Sequence, residues 1–156
     1  MIINGQVIGT ERVTADLRAE EGRTRSRVRQ TVNRLGVKLQ THVKKDKLTG
    51  QVLRVKSGRL RRSINLEMSE TEDSITASVG TNVNYGIGWE MGHRRPAVDI
   101  YPKNKLALFW PGAAHPVKHV HQPARDVRAR PFLVPALNDL RAEIRERLGM
   151  AAAGEL

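Results

Sequence analysis

The 156-residue chain contains no cysteine, which removes disulfide scaffolds, thiolate zinc sites and a cysteine nucleophile together. Aromatic residues are scarce at 4%, so the core has to be built from Val, Leu and Ile, and burial against neighbouring subunits is expected to supplement it. No run approaches the roughly 20 apolar residues that cross a bilayer. The opening residues MIINGQVIGTERV lack the basic segment and apolar stretch of a signal peptide. A soluble, unexported protein without a membrane partner is expected, assembled in a reducing cytoplasm. Acidic charge is also deficient in one part of the chain. Residues 1–65 hold 16 Lys+Arg against 5 Asp+Glu, and the remainder is balanced, so the net charge of +11 lies wholly in the first part. A one-sided basic surface points to a polyanionic neighbour, either nucleic acid or an acidic protein face.

What is present fits one α+β domain over residues 1–150, with residues 151–156 as a flexible tail. Residues 2–8 suggest a short strand, with Asn4-Gly5 as a turn. Thr10 suits a helix N-cap, followed by Glu11 in the first turn, and Gly22 is expected to end that first helix. A second helix is expected from about Thr24, because Val28, Val32, Leu35, Leu39 and Val43 recur at helical spacing. Arg23, Arg25, Arg27, Arg29, Arg34, Lys38, Lys44 and Lys45 cover its other faces. Gly36 inside it predicts a bend or a close contact.

Ile64, Leu66 and Met68 alternate, as do Ile75, Ala77 and Val79, and the polar link between them predicts a β-hairpin. Residues 106–110 and 115–121 are further strand candidates, giving an antiparallel sheet of about four strands with N-terminal helices and a C-terminal helix packed on it. The last helix is expected to start at Pro131 and end at Gly149, burying Leu133, Leu137, Leu140, Ile144 and Leu148.

Chemistry-bearing clusters are weak. His115, His119 and His121 could share one strand face as metal ligands, but no carboxylate stands at ligand spacing within the segment. The run from Gly86 to Gly92 has GxGxxxG spacing without a surrounding βαβ unit, so its glycines are read as turn and close-approach residues. Ser57, Ser63 and Ser69 lack a nucleophile-elbow context, and no nucleophile, base and orienting group come together; neither catalysis nor a cofactor is expected. Arg54, Lys56, Arg59, Arg61 and Arg62 form a dense basic stretch that could follow a phosphate backbone, together with Arg25, Arg29, Lys44 and Lys45. Residues 1–84 contain no aromatic residue for base stacking, so the expectation is passive contact with DNA, not sequence reading.

Three segments carry a resemblance. SGRLRRSI (residues 57–64), VGTNVNYGIGWEMGH (79–93) and RPFLVPAL (130–137) resemble, in order and spacing, motifs of the phage tail-completion or head–tail joining proteins related to a small tail component of lambda-like siphophages. Ser57 stands where that family usually has Thr. The resemblance implies a helix-flanked antiparallel sheet and a non-enzymatic subunit that closes into a ring, six copies being the family expectation. Its place would be the virion neck, between the connector or stopper complex and the tail tube or terminator. The motif residues carried over are Ser57, Gly58, Arg59, Leu60, Arg61, Arg62, Ser63, Tyr85, Glu90, Gly92, His93, Arg130, Pro131, Phe132 and Pro135.

The residues also have local readings. Gly58 supplies turn freedom before the hairpin, Glu90 is a partner for an arginine or ordinary surface charge, and Phe132 plugs into the core at the helix start. Residues 94–105 and the basic N-terminal third are not fixed features of the family. A tail terminator of the same fold and a basic nucleic-acid-binding accessory protein are the rival readings.

Overall fold

The computed structural model describes residues 10–53 and 57–155 and has an α+β fold. The expected strand at residues 2–8, and Arg54 and Lys56, lie outside the described residues. The chain forms two compact units, one of residues 1–82 with 132–156 and one of residues 83–131.

The first unit is organised by helix α1, Thr10–His42. Sequence reading expects two helices here, whereas the helix runs unbroken through Gly22. A mid-helix glycine costs about 1 kcal/mol, and the segment contains no proline to enforce a break. Glu20 bridges the position by pairing with both Arg23 and Arg27. The repeating apolar face packs as the spacing predicts: Val28, Val32, Leu35 and Leu39 are half-buried and Val43 is fully buried.

Gly36 introduces no break. A Cβ placed there would stand 2.7 Å from Leu66 Cδ1 and 3.1 Å from the Ala77 Cβ, so the glycine lets the helix lie against the hairpin. The helix loosens into a π-helical segment, Val43–Gln51, where Val52 N–H donates to Lys47 O at 3.3 Å and Gly50 takes φ +128°.

Gly58, at φ +68°, opens the one-turn helix α2, Arg59–Arg62, which delivers the chain into strand β1, Ile64–Glu70. Strand β2, Ile75–Thr81, pairs with it antiparallel from Ile64 opposite Thr81 to Glu70 opposite Ile75. Helix α4, Leu133–Ala153, closes the unit against α1. Its start is displaced from the expected Pro131, because Phe132 holds the N-cap position as a fully buried side chain. Gly149 lies within the helix, and Gly154 caps it at φ +81°, accepting the left-handed conformation that the C-cap requires. Ala151, expected in a frayed tail, is fully buried in the last turn. Leu133, Leu140, Ile144 and Leu148 are half-buried as expected, but Leu137 is 47% exposed.

In the second unit, helix α3, Asn84–Met91, takes up the glycine run that reads as turns in the sequence. Strands β3 (His93–Arg95) and β6 (Arg125–Val127) form one ladder, and β4 (Val98–Ile100) and β5 (Val120–Gln122) another. Among the described residues, the expected sheet of about four strands is therefore replaced by three two-stranded ladders. Residues 106–110 and 115–121 contribute a single bridge, Leu108 to Val117, instead of two strands. Proline explains the fragmentation: six of the seven prolines fall within residues 83–131. Pro96, Pro102 and Pro123 follow closely on β3, β4 and β5, each withholding the N–H that would extend a ladder.

Candidate functional site

The three resembling segments occupy structural joints. At the first, Gly58 takes the left-handed conformation that a side chain would resist. Arg59 N–H donates weakly to Ser57 Oγ at 3.4 Å, and Ser63 Oγ donates to Leu60 O at 2.8 Å. Ser63 Oγ also shares a 2.6 Å hydrogen bond with Thr81 Oγ1, which joins the first segment to the start of the second at the open end of the hairpin. Ile64 is fully buried and Leu60 half-buried, while Arg59, Arg61 and Arg62 face solvent.

The second and third segments meet in the residue 83–131 unit. Arg130 N–H donates to Trp89 O at 2.7 Å, and its guanidinium lies over the Trp89 ring, 5.9 Å from the centroid. Gly92, at φ +76°, lies so close to the opposing strand that an added Cβ would stand 2.9 Å from Val127 O. His93 pairs with Val127 in the ladder, and its Nδ1 is 3.3 Å from Gly88 O. Glu90 is half-buried on α3, Tyr85 is exposed on the same helix, Pro131 is exposed, and Pro135 is half-buried in the first turn of α4. Phe132 is core, as read from the sequence. Trp89 and Thr81 are the contributors that motif matching leaves out of the candidate set. Their only sequence signal is that they sit inside the second segment.

The basic residues divide by what they touch. Arg25 donates to Glu70 Oε1 at 2.9 Å and to the carbonyls of Thr71 and Glu72, clamping α1 to the hairpin turn. Arg29 lies 3.7 Å from the same carboxylate. Both are thus engaged within the unit. Lys44 and Lys45 form no ion pair with any described residue, and Lys45 is exposed. Near the end of α1, His42 has its Nδ1 2.5 Å from Asp46 and its Nε2 2.9 Å from Asp139, which Lys47 also contacts at 2.7 Å. The hydrogen bond from Lys47, then that from His42, holds the Asp139 carboxyl below its ordinary range.

The histidine-rich stretch is dispersed in role. His121 pairs with Asp99 at 2.8 Å, and His119 stacks on Tyr101 with centroids 5.8 Å apart. Among the described residues, no group of three or more His, Cys, Asp or Glu could hold a metal ion. No helix among them is long and apolar enough to cross a membrane.

The remaining feature is apolar surface. Five of the six aromatic residues lie within residues 83–131. Of these, Tyr85, Tyr101, Phe109 and Trp110 are exposed, as are Ile87, Met91 and Leu106, the last at 98%. Within this unit, Val83 and Gly86 are the buried residues among those described. The chain matches no protein-family model, no curated protein and no solved structure.

Proposed function

We propose that this chain is a non-enzymatic structural subunit of a tailed-phage virion, a tail-completion or head–tail joining protein that works as one member of a ring at the neck. Complementary surfaces would hold the tail to the connector side while leaving a channel for DNA. The observation that carries this reading is the residue 83–131 unit, whose large apolar side chains face outward and whose three-residue ladders enclose almost nothing. Large exposed apolar side chains, aromatic ones above all, are favoured as anchors of association sites. The motif set adds to it, since its glycines and Phe132 sit at positions where the backbone or the core demands them.

Closure into a ring requires a head-to-tail contact between unlike surfaces of successive copies. The test is light scattering of the purified chain at high concentration with negative-stain imaging, together with localisation in purified particles. A closed annulus, six copies being expected, and a position at the neck support the reading. A strict monomer that is missing from mature particles overturns it. A position at the tail end of the neck, capping the tube, would identify the terminator variant of the same architecture.

A further inference from the structure

Ion pairing sorts the cations of the two long helices. Arg23 and Arg27 are paired with Glu20, Arg25 and Arg29 with Glu70, and Lys47 with Asp139. Arg34 on α1 and Arg147 on α4 make no ion pair with any described residue, yet both line one cleft of about 230 Å³ between the helices. At about 30 Å³ per water, that is room for a tetrahedral oxyanion and several of its waters. Thr31 also lines the cleft; the residue is 6% exposed, and its hydroxyl makes no hydrogen bond with a described residue.

Lys38 completes the lining and is held in place by Glu143, its Nζ donating to Oε1 at 2.6 Å and to Oε2 at 2.5 Å. Glu143, the one carboxylate in the lining, is held chiefly by Lys38, and the Arg147 charge also lowers its pKa. Three cations, Arg34, Lys38 and Arg147, and the one carboxylate, Glu143, line the same cleft with the Thr31 hydroxyl, giving it a net charge of +2. Guanidinium pairs present forked donors that match phosphate oxygens, and the Thr31 hydroxyl in the same lining supplies a further donor. Arg141 and Arg145 on α4 also form no ion pair with a described residue, but they do not line the cleft; the convergence of Arg34 and Arg147 on one cleft distinguishes it from general positive surface.

We propose that the cleft between α1 and α4, lined by Thr31, Arg34, Lys38 and Arg147, binds a phosphate group, either a backbone phosphate of DNA or a free phosphate. The site depends on this cleft alone and does not require the ring, so oligomeric state is followed separately in every sample.

The test uses the full chain with two probes, a fluorescent DNA duplex read by anisotropy and inorganic pyrophosphate read by calorimetry. Arg34→Gln/Arg147→Gln is compared with Arg141→Gln/Arg145→Gln, which removes equal charge from exposed arginines of α4 that do not line the cleft. The cleft variant is expected to weaken binding about 10-fold and the control less than about 3-fold, with the DNA salt slope falling by about 1.8 for two lost phosphate contacts. Thr31→Val, which keeps the shape and removes the hydroxyl, is expected to weaken binding about 3-fold. Binding of the duplex but not pyrophosphate identifies backbone phosphate as the ligand, and the reverse identifies a free phosphate. Failure of both probes to bind, equal losses in the two double variants, or unchanged affinity in Thr31→Val each overturns the proposal.

Discussion

Two glycines in α1 offer the same substitution in opposite surroundings. Replacing a mid-helix glycine by alanine gains about 1 kcal/mol from helix propensity alone. At Gly22 a new Cβ meets nothing within 4 Å, so that gain should appear undiminished. In a chain of this length it corresponds to roughly 2–4 °C in melting temperature. At Gly36 the new methyl would stand 2.7 Å from Leu66 Cδ1 and 3.1 Å from the Ala77 Cβ. Leu66 can turn aside, at a cost of about 0.5–1.5 kcal/mol for an off-rotamer χ angle. The Ala77 Cβ is fixed to strand β2 and cannot, so the helix and hairpin must separate.

Overpacking of this kind costs about 1–3 kcal/mol. Set against the propensity gain, it leaves Gly36→Ala neutral to about 2 kcal/mol destabilised. Urea unfolding followed by far-UV circular dichroism, at one fixed protein concentration because association shifts apparent stability, measures both variants. If Gly36→Ala stabilises the chain as much as Gly22→Ala does, the close helix–hairpin contact is not what this glycine serves.

Phe132→Ala empties the one fully buried aromatic site and should cost about 3–5 kcal/mol, checked by the same unfolding assay. The carboxyls of Glu20, Asp139 and Glu143 are held below their ordinary values, first by hydrogen bonds from Arg27, Lys47 and Lys38. A folded-state value below the unfolded one stabilises above the ordinary range, 4.5 for Glu and 3.8 for Asp, and that contribution is lost as pH falls through the lowered values. Melting temperature should therefore drop below about pH 4.5, and the drop should be shallower in a Glu20→Gln/Asp139→Asn variant. Leu106→Glu/Phe109→Glu places charge on exposed apolar positions of the residue 83–131 unit. It should abolish the association expected of a ring subunit while leaving the far-UV spectrum unchanged, as read by light scattering and circular dichroism.

Periodicity made the first unit legible. Apolar residues at helical spacing from Val28 to Val43, and alternating residues in the hairpin apart from the exposed Met68, mark faces that the structure buries wholly or in part. Boundaries were less legible because they depend on small energies. Gly22 and Gly149 carry the residue type of a helix end, but a glycine only permits termination, and in each case the flanking helix formers prevail. The true cap, Gly154, lies beyond the point at which the apolar pattern fades. The residue 83–131 unit could not be read as a sheet or as a set of ladders from alternation alone. Its prolines cut every run to three residues, too short for a period of two to declare itself.

The candidate site shows a different limit. Charge density along the sequence singles out Arg25 and Arg29 as readily as Arg34, although the first two are engaged by the hairpin and the third is not. What separates them is the position of Glu70, 45 residues from Arg25 and brought to it by the antiparallel register of β1 with β2. In the same way Glu143, 105 residues from Lys38, hydrogen-bonds that lysine, while Arg147, one helical turn further along α4, acts on it only through space and lines the cleft with Arg34. A basic run in a sequence therefore states how much positive charge a fold must place. The distribution of its acidic partners through the tertiary structure decides which of those charges remain available to a ligand.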